Sequence, residues 1–178
     1  MTEIDLQPVY LVTGSDRPKV ELALHRLRRH FNDQSIDRFD ASTTDGPTVV
    51  QACNAGTLFG DARLVIVDEV DGRPDDEGRL RATWKAPDLE AVIDYIASPA
   101  PGTVLCLVGT AVKKDAPLAK ACVKAGTVLA FDVSRGKAAG WAAERFKAKG
   151  VRAEPGACAL IAQLVGEGGV RTAAAKRI

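Results

Sequence analysis

Val9-Tyr10-Leu11-Val12-Thr13-Gly14-Ser15-Asp16-Arg17-Pro18-Lys19-Val20 is the stretch on which the fold turns. An apolar run with β-branched and aromatic side chains leads into a glycine. Pro18 then starts a segment in which Val20, Leu24, Leu27 and Phe31 recur at helical spacing. A strand over Val9–Thr13, a tight turn and a helix over Pro18–Phe31 make the opening unit of a chain in which strands alternate with helices.

The alternation continues outward from this unit. Ile36–Asp40 reads as a second strand and Thr48–Ala55 as a helix ending near Gly56. Arg63–Glu69 is a third strand, apolar enough to be covered on both faces. Asp71–Lys85 is charged and contains Gly72, Pro74 and Gly78, so it reads as a flexible insert or loop. Asp88 is placed as the cap of a helix carrying Leu89, Val92, Ile93 and Ile96. Thr103–Gly109 is a fourth strand, Asp115–Ala125 a helix closed by Gly126, and Thr127–Asp132 a fifth strand. This order predicts an α/β fold: a five-stranded parallel sheet flanked by helices.

After Ser134 the strand pattern stops. Ser134 is placed as the cap of a helix carrying Ala138, Trp141, Ala142, Arg145 and Phe146, closed by Gly150. Pro155 opens another helix with Leu160, Ile161, Leu164 and Val165. The expected division is an α/β domain over 1–133 and a small helical fragment over 134–178.

Composition limits the function classes. Of 178 residues, 46% are hydrophobic and 26% charged, an ordinary globular balance. Lys plus Arg (24) nearly equals Asp plus Glu (23), so the net charge of +1 argues for weak or no nucleic-acid affinity of the chain alone. No apolar run approaches the roughly 20 residues that span a bilayer. The acidic, polar N-terminus does not read as a signal peptide, so a cytoplasmic location is expected. Cys53, Cys106, Cys122 and Cys158 are scattered without paired spacing, as expected of small buried residues rather than a metal site.

The first strand–helix turn is where such a protein would hold a nucleotide. A phosphate loop needs a second glycine, a lysine and a hydroxyl in succession, to expose backbone N–H groups and to hold phosphate and Mg²⁺. Here Lys19, Val20 and Glu21 occupy those positions, and Asp16 and Glu21 would repel phosphate. The nucleotide site is therefore degenerate. A dinucleotide-binding reading also lacks its glycines, which leaves Asp40 as a strand-end residue. Asp68 and Glu69 end the third strand in the manner of magnesium- and water-positioning acids, with no triphosphate to serve. His25 and His30 lie among Arg26, Arg28 and Arg29 and read as solvated surface. With Arg17 and Lys19 those arginines form a basic cluster, either a solvated helix face or a contact with DNA or another subunit. No catalytic residue, cofactor site or metal site emerges.

Thr57-Leu58-Phe59-Gly60-Asp61 stands apart. Connections seldom spend adjacent Leu and Phe on solvent, so from spacing alone the pair reads as core, with a partner's pocket as the other reading.

Several segments carry a resemblance in their order and spacing. They are Tyr10-Leu11-Val12-Thr13-Gly14, Phe39-Asp40-Ala41, Leu58-Phe59-Gly60 before Arg63-Leu64-Val65-Ile66-Val67, and Pro101-Gly102-Thr103-Val104-Leu105. Lys113-Lys114, Leu118-Ala119-Lys120-Ala121, Gly126, Phe131, Trp141, Gly150-Val151, Ala159-Leu160 and Leu164-Val165-Gly166 continue them. Over about residues 9–166 the chain resembles the delta subunit of the bacterial DNA polymerase III clamp loader. That resemblance implies an AAA+-like fold of the P-loop type without a working ATP site, then a helical lid that is incomplete here, with the family's collar absent. Residues 167–178 lack the leucine pattern with which the family continues, as a truncated or frame-shifted end would. The implied function is binding and opening the sliding clamp during DNA replication, as a non-hydrolysing part of the polymerase holoenzyme. Leu58 and Phe59 match the pair that enters a clamp pocket. The implied partners are the beta clamp, gamma/tau and delta prime, with DNA met through the complex. The alternative is an active P-loop-type ATPase or another nucleotide-binding α/β protein.

Overall fold

The computed structural model describes residues 6–55, 62–74, 80–132, 138–154, 156–158 and 160. They divide into two compact units, one ending at Phe131 and the other taking up from Asp132.

The first unit is built on a five-stranded sheet. Its strands are β1 (Val9–Thr13), β2 (Ile36–Asp40), β3 (Arg63–Asp68), β6 (Thr103–Gly109) and β7 (Thr127–Ala130), in the order β2-β3-β6-β1-β7. Every pairing is parallel. Parallel neighbours need crossover segments, and the helices that supply them cover the sheet. Alternate residues then face opposite layers. Val65, Val67, Leu105 and Leu107 pack with Val49 and Cys53 of α2 (Gly46–Asn54), Val92 and Ile96 of α3 (Ala86–Ala97), and Leu118 and Cys122 of α4 (Pro117–Ala125). Leu64, Ile66, Val104 and Cys106 pack with Val20 and Leu24 of α1 (Arg17–Arg28). Burial on both faces is why β3 and β6 are nearly continuous apolar runs.

The expected strands stand close to their sequence bounds, and three local readings need correction. Helix α2 begins at Gly46, not Thr48, because Asp45 is its cap and accepts the Thr48 N–H at 2.8 Å. Hydrogen bonds from the Thr48 hydroxyl and N–H hold the Asp45 carboxyl below the usual carboxylate range. Asp88 lies inside α3, not at its cap. Its carboxylate accepts the Lys85 N–H at 2.9 Å and reaches across to the Gly46 N–H at 3.0 Å, joining the starts of two helices. Helix α1 stops at Arg28, and Phe31 sits in a turn held by its N–H to the Arg28 carbonyl.

The segment read as a flexible insert is ordered at both ends. β4 (Arg73–Pro74) and β5 (Leu80–Arg81) form a short antiparallel ladder. Thr83 donates its hydroxyl to the Glu69 carbonyl at 2.8 Å. Trp84 is 4% exposed and joins the larger core, its Nε1–H on the Thr44 carbonyl at 2.9 Å.

In the second unit, α5 (Ala138–Ala148) is closed by Gly150 in the left-handed region, with the Val151 N–H returning to the Phe146 carbonyl. Ala142 and Cys158 are buried there. The cap assigned to Ser134, the helix start at Pro155 and the apolar positions Ile161, Leu164 and Val165 lie outside the described residues.

The position of Trp84 has a measurable consequence. Trp84→Ala should cost about 3–5 kcal/mol in urea unfolding, as expected for a large aromatic lost from a core. A loss below about 1 kcal/mol, ordinary for a surface substitution, would show the segment to be loop after all.

Candidate functional site

The two edges of the parallel sheet differ in chemistry. At the carboxyl edge, β1 enters α1 through Gly14, whose φ of 131° is open to glycine and rare for other residues. A side chain on Gly14 would also overlap the Phe131 backbone. Phe131 donates its N–H to the Thr13 carbonyl and accepts the Asp16 N–H, both at 2.8 Å. The glycine therefore serves a close approach of two backbone segments.

A helix N-terminus is an anion site because its first N–H groups are unpaired. In α1 the anion is the protein's own. Asp16 is 1% exposed, its Oδ1 accepts the Lys19 N–H at 3.3 Å, and its Oδ2 lies 3.0 Å from Lys19 Nζ. Around it, Arg17 Nη2 donates to Thr110 Oγ1 at 2.7 Å, and Thr13 Oγ1 accepts the Val112 N–H at 3.3 Å. The Asp71 carboxylate accepts the Thr110 and Ala111 N–H groups. The lysine and hydroxyl nearest the turn are thus engaged with protein groups.

The acids at the strand ends are tied down as well. Arg38 of β2 forks onto Asp68, with Nε on Oδ2 at 2.6 Å and Nη2 on Oδ1 at 3.1 Å. That hydrogen bonding raises the Arg38 pKa. The pair joins β2 to β3, on the side of β3 away from β6 and β1. Glu69 follows with a φ of 59°, uncommon for a residue with a side chain. Asp40 is the strand-end residue expected, its carboxylate accepting the Ser42 N–H at 2.8 Å and the Ser42 hydroxyl at 2.6 Å.

The basic cluster separates into two parts. Arg17 and Lys19 belong to the turn network, whereas His25, Arg26, Arg28, Arg29 and His30 are exposed at the far end of α1. Cations there complement the helix dipole. The four cysteines are free and buried, and burial pushes the thiols of Cys53, Cys106 and Cys122 up to about 12. Among the described residues no three His, Cys, Asp or Glu side chains gather as a metal site. No helix among them is long and apolar enough to cross a membrane.

At the amino edge lies the connection from α2 to β3. Leu58 and Phe59 fall within 56–61, outside the described residues. The residues on either side are well placed. Arg63, first in β3, donates Nη1–H to the carbonyl of Ala55, the residue that ends α2, at 2.6 Å. Its Nε donates to Asp37 Oδ2 of β2 at 2.7 Å, and Nη2 stands 2.6 Å from the same oxygen. The Arg63 N–H reaches the Gly102 carbonyl at 2.8 Å, and the Thr103 hydroxyl donates to the Cys53 carbonyl at 3.0 Å. Last-turn carbonyls of α2, which have no partner within their own helix, are thus taken up by residues opening β3 and β6. Sequence reasoning passed over Arg63 as the first residue of a strand. The available signal was a lone cation heading an apolar run, beside an acid in the neighbouring strand.

No protein-family model matches the chain, and no curated protein matches it in sequence. Among solved structures, it is similar to the DNA clamp loader delta protein of Bacillus subtilis, with a TM-score of 0.61 and 20% identity over 90% of this chain and 48% of that one. A gamma subunit-related protein of DNA polymerase III from Thermotoga maritima gives a TM-score of 0.49 and 12% identity, over 91% of this chain and 55% of that one. The chain spans about half the length of each. Across 90% of its residues, this chain has the fold of the Bacillus subtilis clamp loader delta protein.

Proposed function

We propose that this chain acts as a delta-type clamp-loader subunit, binding and opening the DNA sliding clamp without hydrolysing ATP. The observation that carries the proposal is a delta-like fold whose first strand–helix turn is filled by its own Asp16. Such a protein works by differential binding: it fits an open ring better than a closed one, and that difference shifts the ring toward opening. Leu58 and Phe59 are the proposed clamp-binding pair. The segment from 134 onward is proposed as part of a lid, with beta clamp, gamma/tau and delta prime as partners and the cytoplasm as location. Contact with DNA would come through the complex, since the chain is nearly neutral.

Burying each member of the pair in a clamp pocket would contribute roughly 1.5–3 kcal/mol. The double change Leu58→Ala, Phe59→Ala should therefore weaken binding to purified beta clamp by about a hundredfold or more. The melting midpoint should barely move. Melting several degrees lower would place the pair in the core, and undiminished clamp affinity would remove it from the site.

The filled turn makes a separate claim. A ligand at 100 times its Kd adds about 2.7 kcal/mol of stability. Magnesium-ATP should leave the melting midpoint where it is. A rise of several degrees that disappears on Lys19→Ala would instead support a nucleotide-binding protein.

A further inference from the structure

We infer that Arg26, Arg28 and Arg29, at the far end of α1, form a binding surface for the phosphate backbone of a nucleic-acid duplex. His25, Arg26, Arg28, Arg29 and His30 fall within six consecutive residues, and all five are exposed. They follow one helical winding past the end of α1. Arg29 itself has right-handed helical dihedrals, and the His30 N–H reaches the Leu27 carbonyl at 3.2 Å. Val20, Leu24, Leu27 and Phe31 take the core side of that winding, so the cations fan over its outer side. Spacings of three and four residues bring Arg26 beside Arg29, and His25 beside Arg28 and Arg29. Because α1 returns from the end of β1 to the start of β2, the cluster lies at the amino edge, away from the turn at Gly14.

Other cations of the first unit are already engaged: Arg17 with Thr110, Lys19 with Asp16, Arg38 with Asp68 and Arg63 with Asp37. Among the described residues, none of the five side chains in the cluster has a hydrogen bond or ion pair of this kind. Their guanidinium forks stay open to an outside acceptor. A protein partner would need an apolar centre to its interface. Leu22, at 48%, is the single large apolar side chain exposed on α1. A phosphate backbone needs only cations, and a planar fork pairs with two phosphate oxygens at once. The near-neutral charge of the whole chain does not oppose such a contact, since salt confines each exposed charge to about 10 Å at 0.1 M. Three contacts hold weakly in isolation, in keeping with DNA being met through a complex.

Nothing in this contact requires the clamp, so the test leaves it out. Fluorescence anisotropy of a labelled DNA duplex, titrated with the full chain at several salt concentrations, reads the affinity. Three neutralised phosphates should give a slope of about −2.7 in log affinity against log salt, a loss of about 500-fold for a tenfold rise in salt. Each single Arg→Gln change at 26, 28 or 29 should reduce the slope by about 0.9, and the triple change should remove binding. Arg28→Lys keeps the charge and should keep the slope. Melting midpoints should shift little, because the side chains are exposed. If the triple variant does not fold, the single variants carry the test. Lys113→Gln with Lys114→Gln, in the connection after β6, should leave binding unchanged. No binding at low salt would overturn the inference, as would a slope that the arginine changes do not alter or an equal loss from the lysine changes. Equal affinity for polyglutamate of matched charge would also overturn it, in favour of an acidic protein partner.

Discussion

Burial of β3 and β6 on both faces is the constraint on which the rest depends. Their central residues, from Leu64 to Val67 and from Thr103 to Gly109, have almost no solvent contact. A parallel sheet covered this way needs a helical crossover between successive strands, and crossovers return every strand to the same edge. Strand–helix turns therefore gather at the carboxyl edge and helix–strand turns at the amino edge. The two edges can be used for different things.

At the carboxyl edge, related architectures place ligands in the crevice beyond the strand ends. Here the protein's own polar groups bond to one another along that edge. Asp16 serves as the anion of helix α1, Asp71 collects the N–H groups after β6, and Arg38 neutralises Asp68. The Asp71 carboxylate thereby takes up backbone N–H groups that lie beyond the end of β6. Gly14 has a positive φ, and its missing side chain makes room for the Phe131 backbone.

At the amino edge the polar contacts of the described residues hold backbone. Arg63 and Thr103 take up carbonyls at the end of α2, and Asp37 orients the guanidinium from the neighbouring strand.

The strands and their parallel arrangement were legible in the sequence, because burial on both faces demands unbroken apolar runs such as Val104-Leu105-Cys106-Leu107-Val108. The departure of the first turn from the phosphate-loop pattern was legible because that pattern is local, and Lys19, Val20 and Glu21 stand at its last three positions. Leu58 and Phe59 drew notice as adjacent apolar residues in a connection, which spacing alone assigned to the core. Tertiary structure decided what joins distant positions. Trp84 sits in a segment whose charges suggest solvent, and only its fit against the core and the Thr44 carbonyl makes it buried. Asp88 looked like a helix cap because its type suits one, but its place depends on Lys85 and on Gly46 of another helix. The Arg63 contacts unite β2, β3 and the end of α2, across 26 and 8 residues of sequence. Hydrophobic period and local motifs are properties of neighbouring residues, so the sequence carries them openly. A hydrogen bond between remote groups exists only after the sheet has ordered its strands.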